Sequence, residues 1–324
     1  MSFAKAESAL VNPAKILSFM GFAAVFLISM GCKQTGRVHP PYPAPAESGA
    51  GANGPLIPQV PQSAAGPGTA AASGAQAALL GPAEFRSFDF PSPSASDTVR
   101  TVSLWATHYY IATITAAAGK DTPIKNKQEA SLFGDQNISK AEWCDLAKQG
   151  SGFILPSNGN PIVVSFAARS SVNPIDCNGV KWPDGRIVVG RRDVAETIRG
   201  NRFERVEAVF ARGARVKEVI PFRTIAVNPS NPLPYGTVIF IPAARGQQVT
   251  LGDGSTAIHD GYFFAGDTGG SLAANQIDIN TGLKNYRPFE FVKSNSKETF
   301  EAKLIENPVI VEKMKKLHGY SGAN

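Results

Sequence analysis

The chain has 324 residues, a formal charge of +6 and a pI of about 9.2, with 43% hydrophobic and 18% charged residues. That length allows one or two domains of ~100–200 residues, and the hydrophobic share is ordinary for a globular protein. The positive charge suits an anionic partner, but there is no Lys/Arg-rich run and no aromatic–basic ladder, so nucleic acid is not the expected one.

At the N-terminus, Lys5 and Lys15 precede an uncharged apolar run from Ile16 to Met30. The run is shorter than the ~20 apolar residues needed to cross a bilayer. It ends in Ser29-Met30-Gly31-Cys32, which resembles a bacterial lipoprotein signal. The resemblance implies a signal peptide over residues 1–31, lipid on Cys32, and a membrane partnership through that anchor. With Lys33 next in line, it also implies the periplasmic face of the outer membrane. If Cys32 carries lipid, Cys144 and Cys177 remain as an even pair in an oxidising compartment, and a disulfide is the economical reading. Two unrelated buried thiols are the alternative. A bridge closing that loop is worth roughly 3–4 kcal/mol. The cysteine spacing fits no zinc motif, and neither metal nor cofactor is expected.

From Val38 to Ala83 the only formally charged residue is Glu47, amid Pro, Ala, Gly and Ser. Such a segment buries too little apolar surface to offset chain entropy, so residues 32–95 are expected to be an extended tether. Thr101–Ile114, rich in β-branched and aromatic residues, predicts a strand. Ser139-Lys140-Ala141-Glu142 predicts a capping box and a helix to Gln149, ended by Gly150. A hairpin is expected from Gly152 to Ala168 around Ser157-Asn158-Gly159, then a helical turn over Val194–Ile198. Short strands follow at Val216–Val227, Thr237–Ile241, Gln247–Leu251, Gly261–Gly266 and Gln276–Asn280, punctuated by Gly and Pro as in a barrel-like all-β core. Pro308–His318 can form a closing helix.

Asp267 follows an apolar β run and precedes Thr268-Gly269-Gly270, where glycines permit a tight turn. A carboxyl there is partly desolvated, which raises its pKa. Asp278 lies in a second β run eleven residues on; if the two carboxylates meet, repulsion raises one pKa further, as a general acid requires. A turn-capping aspartate is the plainer reading of the same residues.

Three ordered pieces alter that balance: Arg223-Thr224-Ile225-Ala226-Val227-Asn228-Pro229, Pro234-Tyr235-Gly236-Thr237 through Ile241-Pro242, and Ala265–Gly270 followed by Asn275–Ile279. Together they resemble the three-aspartate domain, the double-psi β-barrel core shared with membrane-bound lytic transglycosylases of the A type; Ala106-Thr107-His108-Tyr109-Tyr110 resembles that family's opening strand. The resemblance implies a mainly β fold, a double-psi barrel over residues 96–306 with an inserted α/β segment at about 120–215, and a C-terminal helix or tail over 307–324. It implies a monomeric enzyme acting on peptidoglycan glycan strands, with Asp267 as acid/base and Asp278 as supporting carboxylate. Thr107, Tyr109, Asn228, His259, Thr268, Gly269 and Gly270 are the expected substrate contacts, with turn amides at Gly269 and Gly270 as donors. Asn228 stands where the family has its first aspartate, so glycan binding without cleavage is the alternative. Asp267-Thr268-Gly269 is also the aspartic-protease signature, but it occurs once, so a protease would need two copies of the chain. His259-Asp260 reads either as an exposed turn pair or as a contact at the cleft mouth. The arginines at 186, 191, 192, 199, 202 and 205 read as a solvated face or as a surface gripping stem-peptide carboxylates.

Overall fold

A computed structural model describes residues 81–228, 233–269, 271–283 and 288–322. Its axis is one long strand. β1 (Thr98–Ala116) combines β-branched and aromatic residues without Gly or Pro over 19 positions, so nothing in its sequence interrupts the extended backbone. Its first part pairs antiparallel with β11 (Phe300–Ile305), its middle parallel with β10 (Gln276–Leu283), and its last part parallel with β2 (Ser151–Pro156).

The remaining pairings close on themselves. β10 pairs with β5 (Thr224–Val227), β5 with β9 (Tyr262–Thr268), β9 with β6 (Val238–Phe240), and β6 with β11, which returns to β1. Alternation sorts the side chains of this six-strand circuit into two sets. Leu104, Ala106, Ile225, Val227, Ile239, Phe263, Ala265, Ile277, Ile279 and Ala302 share one core. Tyr109, Ala226, Val238, Phe240, Tyr262, Phe264 and Ile305 point the other way and pack with Val216, Phe90, and Ile310 and Met314 of the C-terminal helix. A separate two-stranded pair joins β7 (Gln248–Thr250) to β8 (Thr256–Ile258).

Beyond β1, the sheet continues through β2, β3 (Ile162–Arg169) and β4 (Asn201–Arg205). With α1 (Lys140–Gln149) and α2 (Arg192–Ile198), these strands enclose another core around Trp143, Leu146, Ile154, Val164 and Phe203. α1 begins with the expected reciprocal capping box between Ser139 and Glu142 and ends at Gly150 in the left-handed region, φ 81°. It is fastened by the Cys144–Cys177 disulfide, by Tyr110 Oη donating to Asp145 at 2.6 Å, and by Asn201 Nδ2 donating to the Ala147 carbonyl. The last helix, α3 (Pro308–His318), is capped by Asn307, whose side chain accepts from the Val309 and Ile310 amides.

Several predicted elements differ from the structure. The apolar run from Val216 is strand only from Thr224; its first half is a turn and loop whose Val216, Val219 and Ile220 pack into the core instead. The β2–β3 connection is longer than a two-residue primed turn. β4, β8 and β11 are additional strands: β4 is polar at every position but Phe203, β8 is only three residues long, and Glu301 and Lys303 interrupt β11. The expected signal peptide, Cys32 and most of the tether lie outside the described residues; the tether's expected end at residue 95 is corrected, because Phe85 and Phe90 are buried in the core and Arg223 donates to the Ser87 carbonyl. Among those described, no helix is long and apolar enough to cross a membrane.

Candidate functional site

Asp267 would face the interior of the strand circuit if β9 kept strict alternation, because Phe263 and Ala265 do. It does not, because a β-bulge intervenes. Ile225 pairs with Ala265 but Ala226 pairs with Asp267, so Gly266 is the extra residue. The bulge turns Asp267 to the outer face, the re-aiming that bulges accomplish beside functional sites. Gly266 is required there by space. A Cβ would lie 2.7 Å from Val216 Cγ1, in a turn packed directly over the bulge. That turn is bonded to it: the Arg215 amide donates to the Gly266 carbonyl at 3.2 Å.

Asp278 arrives from the other side of β5. Ala226 pairs with both Asp267 on β9 and Asp278 on β10. The two aspartates therefore flank a small residue in one lateral row, two strand spacings or ~9–10 Å apart at the backbone. Both line a cleft of about 760 Å³, with Tyr109 and Ala226 in its floor and residues 147–151 of the α1 terminus, Phe166, Arg169 and the 212–217 turn along its walls.

Each carboxylate is specifically held. Asp267 Oδ1 accepts from the Thr268 amide at 2.8 Å and the Ala214 amide at 3.1 Å, and Oδ2 accepts from Tyr109 Oη at 3.0 Å. Desolvation raises its pKa above the ordinary value, and the three donors oppose that rise. Asp278 Oδ1 accepts from Thr107 Oγ1 at 2.7 Å, and Thr107 in turn accepts from Gln276 Nε2 at 2.9 Å. Burial raises Asp278 to about 6; the Thr107 bond and the charge of Lys148 oppose this, and Asp267 adds a little. Burial and the neighbouring carboxylate raise the Tyr109 hydroxyl far above its usual value, so it stays a neutral donor.

Mutual repulsion, the expected second cause of the raised pKa values, is thus minor. Ala226 and its strand keep the carboxylates apart, and desolvation dominates. The expected donor amides also differ. The Gly269 amide is directed to the Val227 carbonyl, whereas Thr268 and Ala214 serve Asp267. Gly270 lies outside the described residues.

Thr107 and Tyr109 share the carboxylate-facing side of β1, while His108 is exposed on the opposite face. Thr268 and Gly269 line the cleft rim. Asn228 is directed elsewhere: its Nδ2 donates to the Leu272 carbonyl, tying β5 to the loop after the bulged strand. A carboxylate could not make that bond.

His259 is not a surface contact, and the expectation that it meets substrate is corrected. It is 1% exposed, packed among Phe88, Phe263 and Phe289, with Nε2 against the Phe222 carbonyl and Nδ1 accepting from the Gly261 amide. Desolvation lowers its pKa to about 3, so it is neutral. Its neighbour Asp260 is equally interior, in a bidentate pair with Arg223 at 2.7 and 3.1 Å. Among the arginines, Arg186, Arg191, Arg199 and Arg202 are matched by Asp184, Asp193, Glu196 and Glu129. Among the described residues, no group of three or more His, Cys, Asp or Glu is arranged to hold a metal ion.

Fold and site together define a mainly β protein with a groove centred on two desolvated carboxylates. No known family matches the chain by sequence, and no curated protein matches it. Solved structures that it resembles include E. coli MltA with bound chitohexaose, at 17% identity over 64% of this chain and 72% of that chain, TM-score 0.42. Another is a membrane-bound lytic murein transglycosylase from Agrobacterium tumefaciens, at 15% identity over 65% and 76%, TM-score 0.38. A third is MltA from Neisseria gonorrhoeae, at 10% identity over 64% and 74%, TM-score 0.39. At such low identity and overlap, the functional reading rests on this chain's own residues.

Proposed function

We propose that the protein is a lytic transglycosylase that cleaves the bond between N-acetylmuramic acid and N-acetylglucosamine in peptidoglycan. The observation that carries this is Asp267: a desolvated carboxyl with raised pKa, aimed into a cleft by the Gly266 bulge and fixed by three donors. The ordered three-aspartate motifs supply the substrate class. Asp267, protonated, gives its proton to the glycosidic oxygen as that oxygen leaves the muramyl C1 and positive charge develops on the ring. The muramyl 6-hydroxyl then attacks C1, and its proton returns to Asp267. The product carries a 1,6-anhydro ring, and no water is consumed. One carboxyl thus serves both steps, whereas hydrolytic glycosidases divide the work between two. Asp278, ionised above about pH 6, supplies negative charge across the cleft floor.

The six-strand circuit is read as the double-psi barrel, and the region about 120–215 as an insertion forming the second wall. Residues 1–31 and Cys32 are read as a lipoprotein signal and lipidation site, which would hold the enzyme at the outer membrane with residues 32–80 as tether. Asn228 does not weaken the enzymatic reading, since its amide is engaged in fastening the Leu272 loop and Asp267 keeps its own donors. The test is digestion of purified sacculi by wild-type protein and by Asp267→Ala. Anhydro-muropeptides from the wild type alone support the proposal; release of hydrated reducing ends makes the protein a hydrolase, and no release makes it a wall-binding protein.

A further inference from the structure

The cleft is electrostatically one-sided. Its walls carry Lys148 at the end of α1, Arg169 at the end of β3, and Arg215 and Lys217 on the turn over the bulge. All four are exposed, and none forms an ion pair with a carboxylate among the described residues. Elsewhere, Arg186, Arg191 and Arg199 each have an acidic partner within three residues, while Arg192 and Arg205 form no ion pair among the described residues. Among the described residues, Asp267 and Asp278 are the only carboxylates lining the cleft. Cations left unmatched along a concave, low-dielectric wall focus a positive field into it.

Two of the four are also held in place. Arg169 lies over the Phe166 ring at 5.7 Å and Arg215 over Tyr235 at 5.9 Å, and such stacking orients a guanidinium while leaving its edge donors free. Phe166 is 40% exposed on the cleft wall, an uncommon position for a large apolar ring. An aromatic face beside an arginine fork suits a ligand with an apolar ring face and a carboxylate close to it.

We infer that Lys148, Arg169, Arg215 and Lys217 form an anion subsite that recognises carboxylates carried by the glycan strand, with Phe166 as the adjoining platform for a sugar ring. This rests on the reading of the cleft as a glycan site and adds a selectivity: the groove prefers acidic glycan to neutral glycan of the same backbone. The carboxylate can belong to the lactyl group on the muramyl sugar or to the stem peptide attached through it.

Binding is measured by calorimetry with the full chain carrying Asp267→Asn, so that no ligand is cut. The ligands are a neutral N-acetylglucosamine hexamer, amidase-trimmed strands bearing lactyl carboxylates, and peptide-bearing strands. The subsite predicts at least about tenfold tighter binding of an acidic strand than of the neutral hexamer, an advantage that shrinks with added salt. If trimmed strands already show the preference, the lactyl group is the source; if only peptide-bearing strands do, it is the stem peptide. Arg169→Gln and Arg215→Gln, both at exposed positions, each weaken acidic-strand binding about two- to fivefold and leave the hexamer unchanged. Phe166→Ala weakens all three ligands. Equal, salt-insensitive binding of neutral and acidic strands overturns the subsite while leaving the glycan reading intact. Failure of every glycan to bind overturns both.

Discussion

Replacing Gly266 with alanine tests whether the bulge and the turn above it act as one unit in presenting Asp267. The added methyl would sit 2.7 Å from Val216 Cγ1, 3.2 Å from Cγ2 and 3.3 Å from Phe264 Cδ1. Ordinary carbon contacts are ~3.5–4.0 Å, so Val216 must retreat by about 1 Å. Val216 is buried, and its branched side chain is stiff. The displacement therefore passes to its own turn, where the Ala214 amide holds Asp267 Oδ1. Overpacking of this kind costs about 1–3 kcal/mol, a fall in Tm of roughly 2–6 °C for a chain of this size. Thermal unfolding reads the cost, and release of muropeptides reads the displacement of Asp267. Val216→Ala removes both methyls and should restore space, so the double variant is less damaged than the sum of the single ones. A Gly266→Ala protein with unchanged Tm and rate, or strict additivity with Val216→Ala, would mean that the bulge and the turn do not act as one unit.

Two substitutions should move opposite limbs of the pH–activity profile. Tyr109→Phe deletes a donor that lowers the Asp267 pKa, so the pKa rises, the acid stays protonated further, and the alkaline limb shifts upward while the maximal rate falls; an unmoved limb contradicts that role. Thr107→Val deletes the bond that opposes the rise of Asp278, so the acid limb, set near pH 6 in the wild type, moves to higher pH. Asp278→Asn should stabilise the fold near neutrality. A carboxyl raised from 3.8 to about 6 burdens the folded state fully above pH 6, and less as pH falls toward 3.8; the ceiling is about 3 kcal/mol. Unfolding at pH 7 should show the gain and at pH 3.5 should not, and a loss of Tm at pH 7 would count against desolvation as the dominant cause. Removing the disulfide with Cys144→Ala and Cys177→Ala should cost about 3–4 kcal/mol, with α1 and its Lys148 the first amides to gain hydrogen exchange.

What the sequence made legible follows from how far apart the interacting residues lie. The capping box at Ser139 and Glu142, the stop at Gly150 and the final helix over Pro308–His318 are local arrangements, and each was readable within a few residues. β1 announced itself by composition. Val216–Ile220 did not, because a buried loop and a buried strand present the same apolar run. β11 was hidden for the converse reason: Glu301 and Lys303 interrupt a strand that only its partners β1 and β6 stabilise. At the site, the Asp267–Asp278 pair was legible through its motifs, but the third member of its support was not. Ala214 contributes a backbone amide from 53 positions away, and an amide leaves no mark on residue identity; Gly213 and Gly266, where two backbones meet, were the available signal. His259 misled because a histidine suggests chemistry, while its burial depends on an aromatic cluster and on the Arg223–Asp260 pair beside it.

In the proposed mechanism Asp267 gives a proton to the leaving oxygen and recovers one from the muramyl 6-hydroxyl. Mass analysis of fragments released from sacculi tests it most directly. Muramyl ends one water lighter than hydrolytic ends are expected from the wild-type protein, and none from Asp267→Asn folded to the same Tm or higher. Fragments at the hydrated mass, or anhydro ends persisting in Asp267→Asn, would contradict it.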